Sequence, residues 1–309
     1  MNTNKPLCWI AILFGLLLVL LAACQSGQSN VGTTSSTEQP PTVTPSPPQP
    51  PPTVSPTPLP KLGVDVPVRI MPLGDSITEG VCDRPDTCNV PMIQTPGTGY
   101  GIQSCSFNLN LYNRAARGYR EFLFDKLIEA GVDMTYVGSV QVNEGLAHEG
   151  HSAFRTSDID YCIQNAGWLE QAKPDMILLH VGSADAGDGG IPANASLAAL
   201  RFILTHIYQR SPESTEVILA QVIPAREDSH VNFDPSKPLV NDVLTEYNAG
   251  IPAVVEEFRA MGKHVSLVDM REAIQSIDDY DEMGRHPNVV ASERMAQVWF
   301  EKIMEIVGQ

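Results

Sequence analysis

The segment MPLGDSITEG (71–80) sets Ser76 directly after an apolar run, VPVRIMPL (66–73), with Gly74 and Asp75 before it and Gly80 after it. A serine on a tight turn between strand and helix presents its hydroxyl above the sheet. It also offers its own N–H to a developing oxyanion. Taken alone, the same serine reads equally well as part of a helix N-cap. A nucleophile also needs a base, and His286 is the candidate, because imidazole is the side chain poised for proton transfer near neutrality. It lies in the polar stretch SIDDYDEMGRHPNVVASERMA (276–296), and its bland alternative is a surface histidine in an acidic loop. A third polar segment, AHEGHSAFRTSDI (147–159), supplies Gly150, whose N–H is open to the same oxyanion. His148 and His151 invite a metal reading, but they sit in a loop without the i, i+4 helical spacing of a His-Glu metal helix, so no metal or other cofactor is expected.

These residues need elements to bring them together. GYREFLFDKLIEAG (118–131) puts Tyr119, Phe122, Leu123 and Leu127 on one helical face. MTYVGSV (134–140), DMILLHVGS (175–183), EVILAQVIP (216–224) and HVSLVDM (264–270) read as strands, joining the run before Ser76. Helical patterns cover 156–172, 194–210, 241–262 (bent or broken at Gly250–Pro252) and 292–307. Five strands alternating with helices predict a parallel sheet covered on both faces. Ligands in such sheets gather at the carboxyl ends of the strands, where Ser76, Gly150 and His286 all fall.

The N-terminus is different material. LCWIAILFGLLLVLLAA (7–23) has the length of a secretory signal core, and LAAC (21–24) resembles the lipobox of bacterial lipoproteins. That resemblance implies cleavage after residue 23 and acylation of Cys24, with a membrane partner through the lipid; an uncleaved anchor is the alternative. Either way the remainder faces outside the cytoplasmic membrane. Eleven prolines between Pro40 and Pro60 make 24–63 an extended spacer, so the folded unit is expected over 64–309. The stated net charge is −16, and the first 63 residues carry two lysines and one glutamate, which leaves about −17 on that unit. Such a surface repels nucleic acid and anionic polymers and suits a neutral substrate or a cationic one. Cys82, Cys88, Cys105 and Cys162 remain after export; two disulfides are expected, with Cys82–Cys88 and Cys105–Cys162 the favoured pairing of three.

Together MPLGDSITEG, YVGS, HEGHSAFR, DMILLHVGS, EVILAQVIP and the HPN before ERMAQVWF resemble the SGNH (GDSL-type) hydrolases across 64–309. Within that superfamily the string is most similar to the carbohydrate esterases that deacetylate xylan. The resemblance implies a three-layer α/β/α sandwich with a five-stranded flavodoxin-like sheet. It implies Ser76 as nucleophile, His286 as base, and the N–H groups of Ser76 and Gly150 as oxyanion donors. Two positions depart from the family's pattern. Ala184 stands where the third motif has the asparagine that donates to the oxyanion, a loss of roughly 10²–10³ in rate. Ser183 and Asp185 flank it; a Ser183 hydroxyl or a water is the substitute on offer, and Asp185 would repel an oxyanion. Met283 stands where an aspartate orients the histidine, a loss on the order of 10⁴.

A longer turn brings Asp281 or Glu282 to the imidazole instead, with Asp278 and Asp279 more distant. The expected catalytic set is therefore Ser76, His286 and Asp281, with Glu282 as substitute orienter. Tyr100, in GTGYGIQSC, is either a sugar-stacking ring or a core residue. The function expected is a serine esterase acting on acetyl or short acyl esters of a neutral polysaccharide. Two alternatives stand beside it: a catalytically weakened, tethered glycan-binding module of the same fold, and an esterase of lipid or peptidoglycan acyl groups.

Overall fold

Strand β1 (Val68–Gly74) is buried along its length except at half-exposed Arg69, as a continuous apolar run requires when both faces of a parallel sheet are covered. It pairs with β2 (Met134–Tyr136) on one side and β4 (Met176–His180) on the other. Beyond β4 come β5 (Glu216–Gln221) and β6 (Val265–Asp269), all parallel, in the order β2-β1-β4-β5-β6. The five expected strands are all there. A two-residue strand the sequence did not disclose, β3 (Glu149–Gly150), pairs with the last two residues of β1. Two residues have no period to read. The computed structural model describes residues 63, 66–81, 105, 117–142 and 145–308, all within one compact unit, Thr57–Gln309. The expected leader, Cys24, the spacer, the Cys82–Cys88 pair and Tyr100 lie outside the described residues.

Helices cover both faces. On one side α2 (Tyr119–Glu129) and α7 (Val289–Val307) close a core that includes Ile70, Leu123, Leu127, Trp299 and Ile303. On the other, α3 (Thr156–Asn165), α4 (Trp168–Ala172), α5 (Ala193–Arg210) and α6 (Val240–Ala260) bury Ile177, Leu179, Ile203, Leu204 and Val254. Full burial of each such side chain is worth roughly 1.5–3 kcal/mol against exposure. The helix expected over 156–172 is two, because Gly167 takes a left-handed φ of +69° between α3 and α4. Of the bend or break expected at Gly250–Pro252, the break does not occur, and α6 runs through Pro252. Gly250 serves packing there: a Cβ on it would lie 2.3 Å from a Leu197 methyl of α5. The expected Cys105–Cys162 disulfide is formed, with Cα atoms 5.5 Å apart.

The chain passes from β1 out to β2 and returns to β4 on β1's far side, so the direction of winding reverses between β1 and β4. The crevice at that switch point, at the carboxyl ends of the strands, is where open α/β sheets bind ligands. Gly74 ends β1 there. A Cβ on it would stand 2.0 Å from the carbonyl oxygen of His180, so only glycine lets the two strands finish side by side.

His180 itself yields a test of this packing. Burial pushes its imidazole down to about 4. Between the unfolded value and that one, the unfolded chain binds a proton the folded chain refuses, so stability falls as pH falls. The loss attributable to His180 is about 3 kcal/mol across pH 6.5 to 4. Urea unfolding of His180→Gln should show an acid loss smaller than wild type by about that amount; parallel profiles would refute the assignment.

Candidate active site

The turn that carries Ser76 is built by capping. α1 (Ser76–Glu79) is one turn long, and Asp75 caps it by accepting the Ile77 N–H at 3.1 Å. The other oxygen of Asp75 accepts the Ser183 N–H at 3.2 Å, tying the turn to the end of β4. Burial pushes the Asp75 carboxyl up to about 6, against these two donors and the nearby His286. At the other end of α1, the fully buried guanidinium of Arg120 donates to the carbonyls of Thr78 and Glu79, both at 2.9 Å, and of Leu146 at 2.6 Å. One cation thus joins the serine turn to the segment leading into β3.

His286 reaches the serine from the loop after β6. Its Nε2 lies 2.9 Å from Ser76 Oγ, and its Nδ1 lies 3.0 Å from Asp281 Oδ2. The sequence pattern left Asp281 and Glu282 as competitors, and the geometry separates them. The Asp281 N–H donates to the His286 carbonyl at 2.9 Å, and Gly284 turns the chain with φ +73°. This wider loop folds the carboxylate of Asp281 back beneath the ring, while Glu282 is exposed. Met283 therefore removes nothing from the site, because a residue two positions earlier occupies the Nδ1 side. Burial alone would raise the Asp281 carboxyl. The hydrogen bond and charge of His286, with N–H donation from Arg285 and His286, outweigh it and hold the group below its ordinary value.

Gly150 sits where a side chain cannot: a Cβ on it would lie 2.4 Å from the Glu79 backbone nitrogen. Its N–H is engaged in this arrangement, donating to His148 Nδ1 at 2.9 Å. That bond leaves the His148 proton on Nε2, and burial, with Arg120 and His151 nearby, holds its imidazole well below the usual histidine value. His151 faces elsewhere, stacked between Phe154 and Trp168 at 4.9 and 4.7 Å and paired with Glu149 at 2.9 Å. Among the described residues no group of three or more His, Cys, Asp or Glu is placed to hold a metal.

Ala184 is buried and brings no donor. Asp185, expected to repel an oxyanion, is occupied by the N-terminus of α3 instead. It accepts from the Thr156 N–H at 2.8 Å, the Thr156 hydroxyl at 2.7 Å and the Ser196 hydroxyl at 3.0 Å. The Ser183 hydroxyl is buried and has no hydrogen-bond partner among the described residues.

Three residues around the site carry little sign of it in the sequence. His148 reads there only as a metal ligand. Arg120 carried a signal, since it occupies the same buried face of α2 as Leu123 and Leu127, a position where an arginine needs a structural reason. Arg285 adjoins His286, and its guanidinium links three loops. It donates to Asp188 at 2.8 Å, to the Ser229 hydroxyl at 3.1 Å and to the His230 carbonyl.

Comparison with known proteins agrees with this fold. Residues 73–293 match the GDSL-like Lipase/Acylhydrolase family. A multidomain esterase of Ruminococcus flavefaciens is 25% identical over 249 residues, 76% of this chain. The chain spans only 28% of that relative's length. A carbohydrate esterase family 3 structure from Clostridium thermocellum aligns with a TM-score of 0.56 at 24% identity, covering 79% of this chain and 98% of that one. One from Talaromyces cellulolyticus gives 0.57 at 22%, covering 78% and 98%. An acetyl esterase variant with an acetate ion gives 0.56 at 22%, with the same coverage. These likenesses speak for the fold. The family match spans most of the described residues and includes both the serine turn and the histidine loop, so the chain belongs to the GDSL-like lipase/acylhydrolase family.

Proposed function

We propose that this protein is a serine esterase that removes acetyl or other short acyl groups from a neutral polysaccharide, held at the outer side of a bacterial membrane by a lipid on Cys24. One observation carries the chemistry: the unbroken line from Ser76 Oγ through His286 to Asp281, with links of 2.9 and 3.0 Å. Both links lie within the reach required for proton transfer and orientation.

In this reading Ser76 Oγ attacks the ester carbonyl carbon, and its proton passes to His286 Nε2. The tetrahedral oxyanion collapses, the carbon–oxygen bond to the sugar breaks, and Nε2 returns the proton to the departing oxygen. Water then attacks the acyl-serine with the same base, releasing the acid and restoring Ser76. The Ser76 N–H lies in the first turn of α1, where a helix supplies no acceptor of its own. The Gly150 N–H serves when it turns from or is shared with His148 Nδ1. The unpartnered Ser183 hydroxyl is the remaining donor beside Ala184. The polysaccharide rests on the acidic surface and on the carbohydrate esterases that share the fold. The lipid anchor rests on LAAC alone.

The test uses the full-length protein in detergent, supplied with p-nitrophenyl acetate and with acetylated xylan. Acetate should be released from both, and a serine-directed organophosphorus reagent should place one label, on Ser76, as activity disappears. Full activity with Ser76 labelled would remove Ser76 as the nucleophile, and no acetate release at all would reject the esterase in favour of the weakened binding module that Ala184 suggests.

Ala184 makes a second prediction. Restoring the missing amide with Ala184→Asn should raise kcat on the chromogen at least about tenfold, a fraction of the 10²–10³ one such donor supplies. Met283→Asp should add nothing, because Asp281 already holds Nδ1. A gain from Met283→Asp alone would show that Asp281 does not hold Nδ1.

A further inference from the structure

We propose that Phe233 is the platform on which the sugar of the leaving group stacks, held in place by Arg285. The inference rests on the sugar-ester reading above and extends it to a residue that determines specificity.

Phe233 lies in the loop after β5, at the carboxyl ends of the strands. Its backbone takes φ +57° and that of Asn232 takes +55°, the left-handed region, which is costly for side chains other than glycine. Two successive residues of this kind persist only where the surroundings over-determine them. Here Val231 is buried against Gly190, the loop is closed by the bridge between His230 and Leu239, and the Ser229 carbonyl accepts the Val240 N–H. The result of the strain is an aromatic ring held outward, 44% exposed.

One face of that ring is already taken. The Arg285 guanidinium carbon lies 3.6 Å from the ring centroid, a close cation–π contact. The same guanidinium is fixed by Asp188, Ser229 and His230, so the ring rests on a support with little freedom. The contact fixes one side of the ring, and the exposed remainder is a flat apolar surface with the negative potential of an aromatic face. The C–H groups on a pyranose face, apolar and weakly positive, match that surface.

Position on the molecule decides which part of the substrate meets it. His286 must hand its proton to the departing sugar oxygen, so the sugar leaves past His286. Arg285 is the adjacent residue, and its backbone N–H is held by Asp281 Oδ1 at 3.0 Å, within the same loop that orients the base. The other exposed aromatic side chains among the described residues are Tyr161 on α3 and Phe202 on α5. Both stand on helices that cover a sheet face, and neither is joined to the histidine loop.

The experiment compares wild type, Phe233→Leu and Phe233→Trp on acetylated xylo-oligosaccharide and on p-nitrophenyl acetate. Leucine keeps the apolar bulk and loses the flat face. Phe233→Leu should lower the ratio of the two kcat/KM values about tenfold, mainly through KM for the oligosaccharide, and tryptophan should restore it to within about threefold. In parallel, Ser76→Ala combined with Phe233→Trp is titrated with deacetylated xylo-oligosaccharide, and the emission of the new indole is read against Ser76→Ala alone. A saturable change belonging to the new indole is expected. An unchanged ratio, or an equal fall on both substrates, would overturn the platform while leaving the esterase intact. Turnover of the chromogen without any sugar ester would end the sugar reading and this proposal together. If wild type turns over neither ester, the esterase reading fails by itself, and the titration then decides: a saturable change supports a glycan platform, and none overturns it.

Discussion

Asp281→Asn lowers kcat on a chromogenic acetate by about four orders of magnitude, the loss seen when a triad carboxylate becomes an amide. Glu282→Gln, one position on, changes it by less than about threefold, as expected of an exposed side chain away from the ring. The contrast follows from what each oxygen of Asp281 does. Oδ2 receives Nδ1, which keeps the other nitrogen free of its proton and facing Ser76. Oδ1 accepts the N–H groups of Arg285 and His286 at 3.0 and 3.2 Å, which fixes the loop from which the ring projects. An amide can keep the shape and still favour the wrong tautomer, so the variant should fold and fail. The carboxyl is held below its ordinary value, so its contribution to stability is present above the unfolded value near 4 and is lost only as pH falls through the lower folded value. It therefore remains ionised across the neutral range in which an esterase of this type is assayed. Equal losses in Asp281→Asn and Glu282→Gln would mean that neither is the orienter.

The three central strands β1, β4 and β5 were legible as near-continuous apolar runs that a doubly covered sheet buries, whereas β2 and β6 at the edges were legible from their place in the alternation, which left few topologies. The serine and histidine were legible because both follow strands. What the sequence withheld has physical causes. Asp281 and Glu282 are both carboxylates on one acidic turn, and only the backbone bond from Asp281 N–H to the His286 carbonyl decides which lies under the ring. The engagement of Gly150 by His148 depends on a two-residue strand and a ring orientation, and neither has a period. Gly250 and Pro252 together read as a break because propensity favours one; the close approach of Leu197 to Gly250 is a tertiary fact that overrides it. Arg285 was hidden by its neighbour. Beside a candidate base in an acidic loop, an arginine reads as a solvated countercharge, whereas its side chain is only 9% exposed and spans three loops.

Ser76→Ala takes kcat down by about six orders of magnitude, or to the floor of the assay, because the nucleophile, the base and its orienter act as a unit. The same cooperativity makes a sharper claim. Adding His286→Ala and Asp281→Asn to Ser76→Ala should cost almost nothing more, since the later changes remove support for a step that no longer happens. In triad enzymes the activity left after such a loss comes from the oxyanion donors and from binding, roughly 10³–10⁴ over water. This site lacks the side-chain donor at Ala184 and has its Gly150 N–H shared with His148, so its residual activity should sit below that range. Ala184→Asn in the Ser76→Ala background measures the difference directly: a rise of about tenfold without the nucleophile would place the added amide in the oxyanion site itself. Single variants whose losses multiply in the triple variant would instead show three residues acting independently, and the line from serine to aspartate would then be a packing arrangement without a shared catalytic role.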